Sequence, residues 1–233
     1  MRVAVMQPYF MPYIGYFQLI KAVDKFIIYD DVNYIKQGWI NRNNILLNGK
    51  SYLFSIPLKD ASSFKKINDI EINQGLFPKW KIKFFKTLEL AYKKAPFYTS
   101  IIPILEDLLD CPNKVNNLIY VSLLKICNYL EIATHIEKSS TIYQNSELSK
   151  EERLIDICKK ENADTYINPL GGQDLYDKEY FAKNNVKLFF IKSNKDNYIQ
   201  FGDSFIPWLS IIDILMFNSP QKIREMLDNY ELI

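Results

Sequence analysis

Two short β-branched and apolar runs, RVAVM at 2–6 and KFIIY at 25–29, lie on either side of a single short helical pattern. Pro8 and Pro12 end the first run, because proline supplies no ladder donor and fixes its own backbone. Beyond Gly15 the apolar residues Tyr16, Leu19, Ile20 and Val23 recur at helical spacing. A strand, a helix and a second strand in that order predict a parallel pair, and with it an α/β sheet.

The chain continues the alternation. INRNNILL and SYLFSIP flank Asn48-Gly49, a dipeptide that favours the positive backbone angles of a tight hairpin. DIEIN at 69–73 predicts a short strand. A long helical stretch at about 79–130 follows, broken at Pro96, Pro103 and Pro112, with amphipathic WKIKFFKTLELAY and NNLIYVSLLKICNYL. THIEK, DTYIN and VKLFFI then predict strands, separated by helices over SKEERLIDICKKEN and YDKEYFAKN. Ser149 and Glu152 have the spacing of a capping box. A last helical region covers about Leu209 to Asn229, interrupted near Pro220. One α/β domain over 1–233 with a mostly helical insertion is the expected organisation.

Composition narrows the function. With 233 residues, 48% of them hydrophobic, the chain can bury a full core, and its net charge of +2 disfavours a dedicated DNA binder. No run approaches the ~18 apolar residues of a membrane span. No charged-then-apolar leader precedes the first strand, so a cytoplasmic protein without membrane insertion is expected. Cys111, Cys127 and Cys158 are widely spaced, which predicts reduced and mainly packing thiols rather than metal ligands. The single His135 excludes a multi-histidine metal centre and reads as a half-exposed imidazole on a strand.

Candidate site residues come from three turns predicted at the carboxyl ends of strands, where parallel sheets bind ligands. In MQPYFMPYIGYFQLI the candidates are Gln7, Tyr13, Gly15 and Tyr16. In YDDVNYIKQGWINRNNI they are Asp30, Asp31, Lys36, Trp39, Asn41, Arg42 and Asn43. Arginine forks onto phosphate, tryptophan stacks on a base or sugar, and a carboxylate can accept a proton from an amine. In INPLGGQDLYD they are Asn168, Gly171, Gly172 and Asp174, where paired glycines allow positive φ and an anion-binding nest. Ser210 and Asp213 are candidates for the same cleft, with helix capping the plainer role for Ser210. Two aspartates alone do not make a metal site, and none is expected.

Two resemblances follow from these residues. PYIGY at 12–16 resembles the H-I-G-H motif of the nucleotidyl-transferase and class I aminoacyl-tRNA synthetase superfamily, with tyrosine at both histidine positions. More extensively, QPYFMPYIGYFQLI, DKFIIYDDVNYIKQGWINRN, RLIDICKKENADTYINPLGGQDLYD and FIPWLSIIDILMFNSP resemble the WbqC-like family of bacterial surface-polysaccharide gene clusters. Together they imply a parallel, Rossmann-like sheet of the nucleotidyl-transferase (HUP-like) kind.

The second resemblance also implies a transferase that adds an acyl or aminoacyl group to a nucleotide-linked amino sugar in O-antigen assembly. On that reading Asp30 or Asp31 acts as base and the amides near Gly171 and Gly172 hold the oxyanion. The partners are the nucleotide-linked sugar and an acyl donor that the residues do not identify; self-association stays open. An adenylate-forming ligase using ATP and Mg²⁺, and a sugar-nucleotide-binding protein without turnover, are the rival expectations.

Overall fold

The computed structural model describes residues 1–233 with the exception of Cys111 and Asp203. The expectation of a reduced thiol at Cys111 therefore lies outside the described residues. The chain opens as predicted, with β1 (Arg2–Met6), α1 (Ile14–Lys21) and β2 (Lys25–Ile28), the two strands pairing in parallel from Val3↔Lys25 to Met6↔Ile28.

A long excursion follows. Strands β3 (Arg42–Leu47) and β4 (Lys50–Ser55) form the expected hairpin, in which Asn48 and Gly49 both take positive φ, 52° and 70°. The two-residue strands β5 (Leu58–Lys59) and β6 (Glu71–Ile72) pair next. Three helices complete the excursion: α2 (Phe77–Tyr92), α3 (Tyr98–Leu108) and α4 (Val115–Tyr129). Pro103 does not break the helical run; it sits inside α3. The surrounding packing of Ile101, Leu105 and Leu108 holds the helix despite the missing donor.

The sheet resumes with β7 (His135–Glu137), then α5 (Lys150–Lys160), β8 (Thr165–Pro169), α6 (Lys178–Lys183) and β9 (Lys187–Ser193). Ser149 is the N-cap of α5, but its side chain makes no capping bond, so the capping box is not formed. A coil leads to α7 (Ile211–Phe217), α8 (Pro220–Met226) and a strand with no sequence signal, β10 (Tyr230–Leu232).

Six strands form one sheet in the order β10-β9-β8-β1-β2-β7, parallel except for β10. Because side chains alternate along a strand, each strand feeds two cores. Val3, Val5, Ile27, Tyr166 and Phe190 pack on one face with Leu154, Ile157, Cys158 and Phe181 of α5 and α6. Ala4, Phe26, Ile28 and Ile167 pack on the other with α1, α7, α8 and the inserted helices. The sheet is covered on both sides, as nearly all-parallel sheets are.

Strand order reverses between β1 and β8, which are neighbours in space but far apart in sequence. Crossovers on the two sides of such a point diverge and leave a crevice beyond the strand ends. The buried Cys127 and Cys158 thiols are each pushed up to about 12 by burial, which suits packing rather than nucleophilic duty.

Candidate functional site

At the carboxyl ends of β1, β8 and β9 lies a cleft of about 510 Å³. The turn after β1 contributes Tyr9, Pro12 and Tyr13; the excursion contributes Trp39 and Asn43. Pro169, Leu170 and Gly171 come from β8 and the turn after it, and Ile191, Lys192 and Ser193 from the end of β9. Trp208, on the coil before α7, closes the outline. Segments more than a hundred residues apart in the chain meet at one rim.

The turn after β1 is clamped from two sides. Asn43 Nδ2 donates to the Met11 carbonyl at 2.7 Å, and Ser210 Oγ donates to the same oxygen at 2.7 Å. Ile211 N donates to the Pro12 carbonyl at 2.8 Å. These bonds hold Met11 at φ 47° and deliver Tyr9 and Tyr13 to the cleft while Phe10 and Met11 enter the core. Burial raises the Tyr9 and Tyr13 phenols above their ordinary value, so both stay protonated and serve as neutral donors.

Trp208 adopts φ 60°, a left-handed conformation that is an outlier for a bulky side chain. It presents its ring edge-on to Tyr13, 5.9 Å between centroids at 82°. The coil that carries it is tied down by Gln200, which donates to the Ile206 carbonyl and accepts from Ile206 N. Gln200 Nε2 also donates to Asp213 Oδ2 at 2.6 Å. Asp213 is fully buried and takes further hydrogen bonds from Tyr92 and Tyr198; desolvation holds its carboxyl above the usual aspartate range. It therefore anchors the coil behind the cleft wall. Ser210 caps α7 as the plainer reading expected, accepting from Ile212 N.

The candidate residues of the sequence separate sharply. Tyr13, Trp39, Asn43 and Gly171 line the cleft. Asn168 and Gly172 are buried next to the lining residues Pro169 and Gly171; a Cβ on Gly172 would lie 2.0 Å from Asn168 Nδ2, so a larger residue there must displace that amide. The glycine pair is not a positive-φ nest. Leu170–Leu175 is a 3-10 turn, and the only glycines with positive φ among the described residues are Gly49 and Gly202.

Gly15 does not offer bare backbone to a nucleotide, because the Tyr13 ring occupies its open side, 2.3 Å from where a Cβ would stand. Tyr16 is a core residue, 3% exposed, whose hydroxyl donates to the Gln7 carbonyl at 2.9 Å. Asn41 braces the hairpin by bonding Ile56 O, Ser55 Oγ and Tyr34 OH. Arg42 donates to the carbonyls of Gly38 and Gln37 and lies 5.7 Å from the Trp39 ring, which orients that indole. Lys36 and Asp174 are exposed and do not line the cleft.

Asp30 and Asp31 are not among the lining residues either. Asp30 is fully buried and accepts from Ser139 Oγ at 2.6 Å and Asn116 Nδ2 at 2.9 Å; burial raises its pKa. Asp31 pairs with the buried Arg153, and Ser140 donates to its other oxygen. Arg153 in turn lies over the Tyr29 ring and bonds Asn145. This network ties β2 to the segment after β7 and to α5, with both carboxylates already engaged.

Sequence reasoning did not pick out Tyr9, Leu170, Lys192, Ser193 or Trp208. Ser193 has a buried hydroxyl with no hydrogen-bond partner among the described residues, and Lys192 is a cation of the cleft lining, 3.6 Å from Glu231. The Pro-Trp pair at 207–208 was the available signal for the last of the five. No group of acidic, histidine and cysteine side chains among the described residues could hold a metal ion. No helix of the described residues is long and apolar enough to cross a membrane.

A family model described as the WbqC-like protein family matches residues 7–225. A protein of Mycobacterium tuberculosis described as uncharacterized is 30% identical over 218 residues, covering 92% of each chain. No solved structure matches the chain.

Proposed function

Because the chain belongs to the WbqC-like family, we propose that it transfers an acyl or aminoacyl group to a nucleotide-linked amino sugar during surface-polysaccharide assembly. One observation carries the reading: Tyr9, Tyr13, Trp39 and Trp208 line a single cleft at the point where strand order reverses. Its volume lies within the roughly 300–1,000 Å³ of small-molecule sites. Flat aromatic faces suit a nucleobase and the apolar face of a sugar. Lys192 supplies positive charge for the pyrophosphate, and the Tyr9 and Tyr13 phenols supply directional bonds.

In the transfer, the sugar nitrogen bonds to the acyl carbon, the bond from that carbon to the donor's leaving group breaks, and the amine proton ends on the departing group. The protein's part is positioning and exclusion of water. Thermal shift with nucleotide amino sugars, coenzyme A and ATP with Mg²⁺ tests the reading, since a ligand of the folded state raises its melting temperature. Nucleotide amino sugars stabilise the protein if it holds; stabilisation by ATP with Mg²⁺ alone supports adenylate formation instead.

A second reading, a sugar-nucleotide-binding protein without turnover, is favoured by one specific feature: no carboxylate or imidazole of the described residues lines the cleft. Mass spectrometry of the amino sugar after incubation with acyl donors separates the two. Amide product supports transfer, and binding without product supports the second reading.

A further inference from the structure

Helix α2 carries a charge pattern that neither the cleft nor the core uses. Six lysines and one glutamate fall between residues 77 and 95, while the rest of the chain has 23 basic and 26 acidic residues. The protein's positive excess is thus concentrated on one helix and its end. Phe77, Phe84, Leu88 and Ala91 face the core. On the opposite side Lys79, Lys83, Lys86 and Leu90 follow helical spacing along one stripe, with Ile82 beside it.

None of those three lysines forms an ion pair among the described residues; Glu89 is taken by Lys93. Leu90 is 80% exposed and Ile82 60%. Between α2 and β4 lies a shallow groove of about 160 Å³ lined by Tyr52, Leu53, Trp80 and Lys83 among others. Trp80 is half-buried there, stacked on Phe84 at 5.0 Å and 10°.

We propose that α2 with the adjoining edge of β4 is a docking surface for an anionic phospholipid bilayer. Cationic side chains alternating with exposed aliphatic ones, beside a half-buried tryptophan and a tyrosine, match the layered polarity of a lipid headgroup region. Phosphates of a nucleic acid would satisfy the lysines but leave Ile82 and Leu90 without a use. The adsorption is peripheral: lysines near an anionic surface each add attraction that fades within a Debye length.

The test is co-sedimentation of the full chain with vesicles of phosphatidylcholine, with and without phosphatidylglycerol, at low and at raised salt. Binding is expected only with phosphatidylglycerol and is weakened by salt. The triple variant K79E/K83E/K86E is expected to bind roughly 100-fold less, from the usual attraction per lysine. I82D/L90D is expected to lose binding that salt does not restore. A charge-matched variant on the α5, α6 and β9 surface, K159E/K183E/K187E, controls for net charge. Equal loss in that control overturns the proposal, as does failure of the native protein to sediment with anionic vesicles at low salt, the result expected if the surface serves an acidic protein instead. Circular dichroism melts show whether each variant remains folded.

Discussion

Two polar regions stand at the carboxyl edge of the same sheet and have opposite characters. The one beyond β2 and β7 holds Asp30, Asp31, Arg153, Ser139 and Asn116 in a closed set of hydrogen bonds. The one beyond β1, β8 and β9 is open and ringed by aromatic side chains, with the Tyr9 and Tyr13 phenols among its lining. Charge density alone would select the first. Accessibility and unspent bonding capacity select the second, because a group whose partners are all inside the protein has little left for a ligand.

That contrast breaks first at Arg153. Arg153→Ala strands the Asp31 carboxylate in a buried site and is expected to destabilise the fold by about 3–5 kcal/mol. Urea titration measures the loss. A variant of unchanged stability but weakened ligand binding would move this network into the functional site. Gly172→Ala is next, expected to cost about 1–3 kcal/mol as the new methyl displaces Asn168.

The cleft side is sharpened by Trp208→Ala. Losing one stacking face is expected to weaken nucleotide-sugar binding by roughly 10- to 100-fold, about 1–3 kcal/mol by analogy with base–aromatic stacking. Melting temperature should change little, because the indole is half exposed and alanine, which also carries a Cβ, leaves the left-handed backbone at 208 as it was. Isothermal titration and a melt on the same sample keep the two effects apart.

The smallest effect is one of pH. The Asp213 carboxyl is raised in the folded protein, so folding takes up protons there. Its contribution is complete below the ordinary aspartate value of about 3.9 and is lost as pH rises through the folded value. Exposed carboxylates lowered by lysine partners, such as Glu71 and Glu89, act in the opposite sense. The informative quantity is therefore a difference: urea midpoints of the native protein should fall more steeply with rising pH than those of Asp213→Asn. Parallel profiles would show that Asp213 does not titrate in this interval.

Local signals were legible in the sequence. The β1–α1–β2 unit follows from short-range alternation and spacing, and the β3–β4 hairpin from Asn48-Gly49. The three-residue β10 has no pattern of its own and exists because β9 offers it an edge. Four candidate residues, Tyr13, Trp39, Asn43 and Gly171, do reach the cleft. Asp30 and Asp31 read as a solvent-facing cluster because their partners Asn116, Ser139, Ser140 and Arg153 lie 86 to 122 residues further along. Burial of that kind is a property of the assembled layers. Trp208 escaped notice because its position depends on a left-handed backbone held by Ser210 and the Asp213 hub.

The pairing of β1 with β8, Arg2 beside Thr165, has a consequence for synthesis. A growing polypeptide exposes β1 and β2 early, yet their neighbour leaves the ribosome on the order of ten seconds later at ordinary elongation rates. Throughout that interval one side of β1 is an uncovered strand edge, the kind that invites pairing with another chain. Chaperone dependence during translation, more than at equilibrium, is where this topology should be felt.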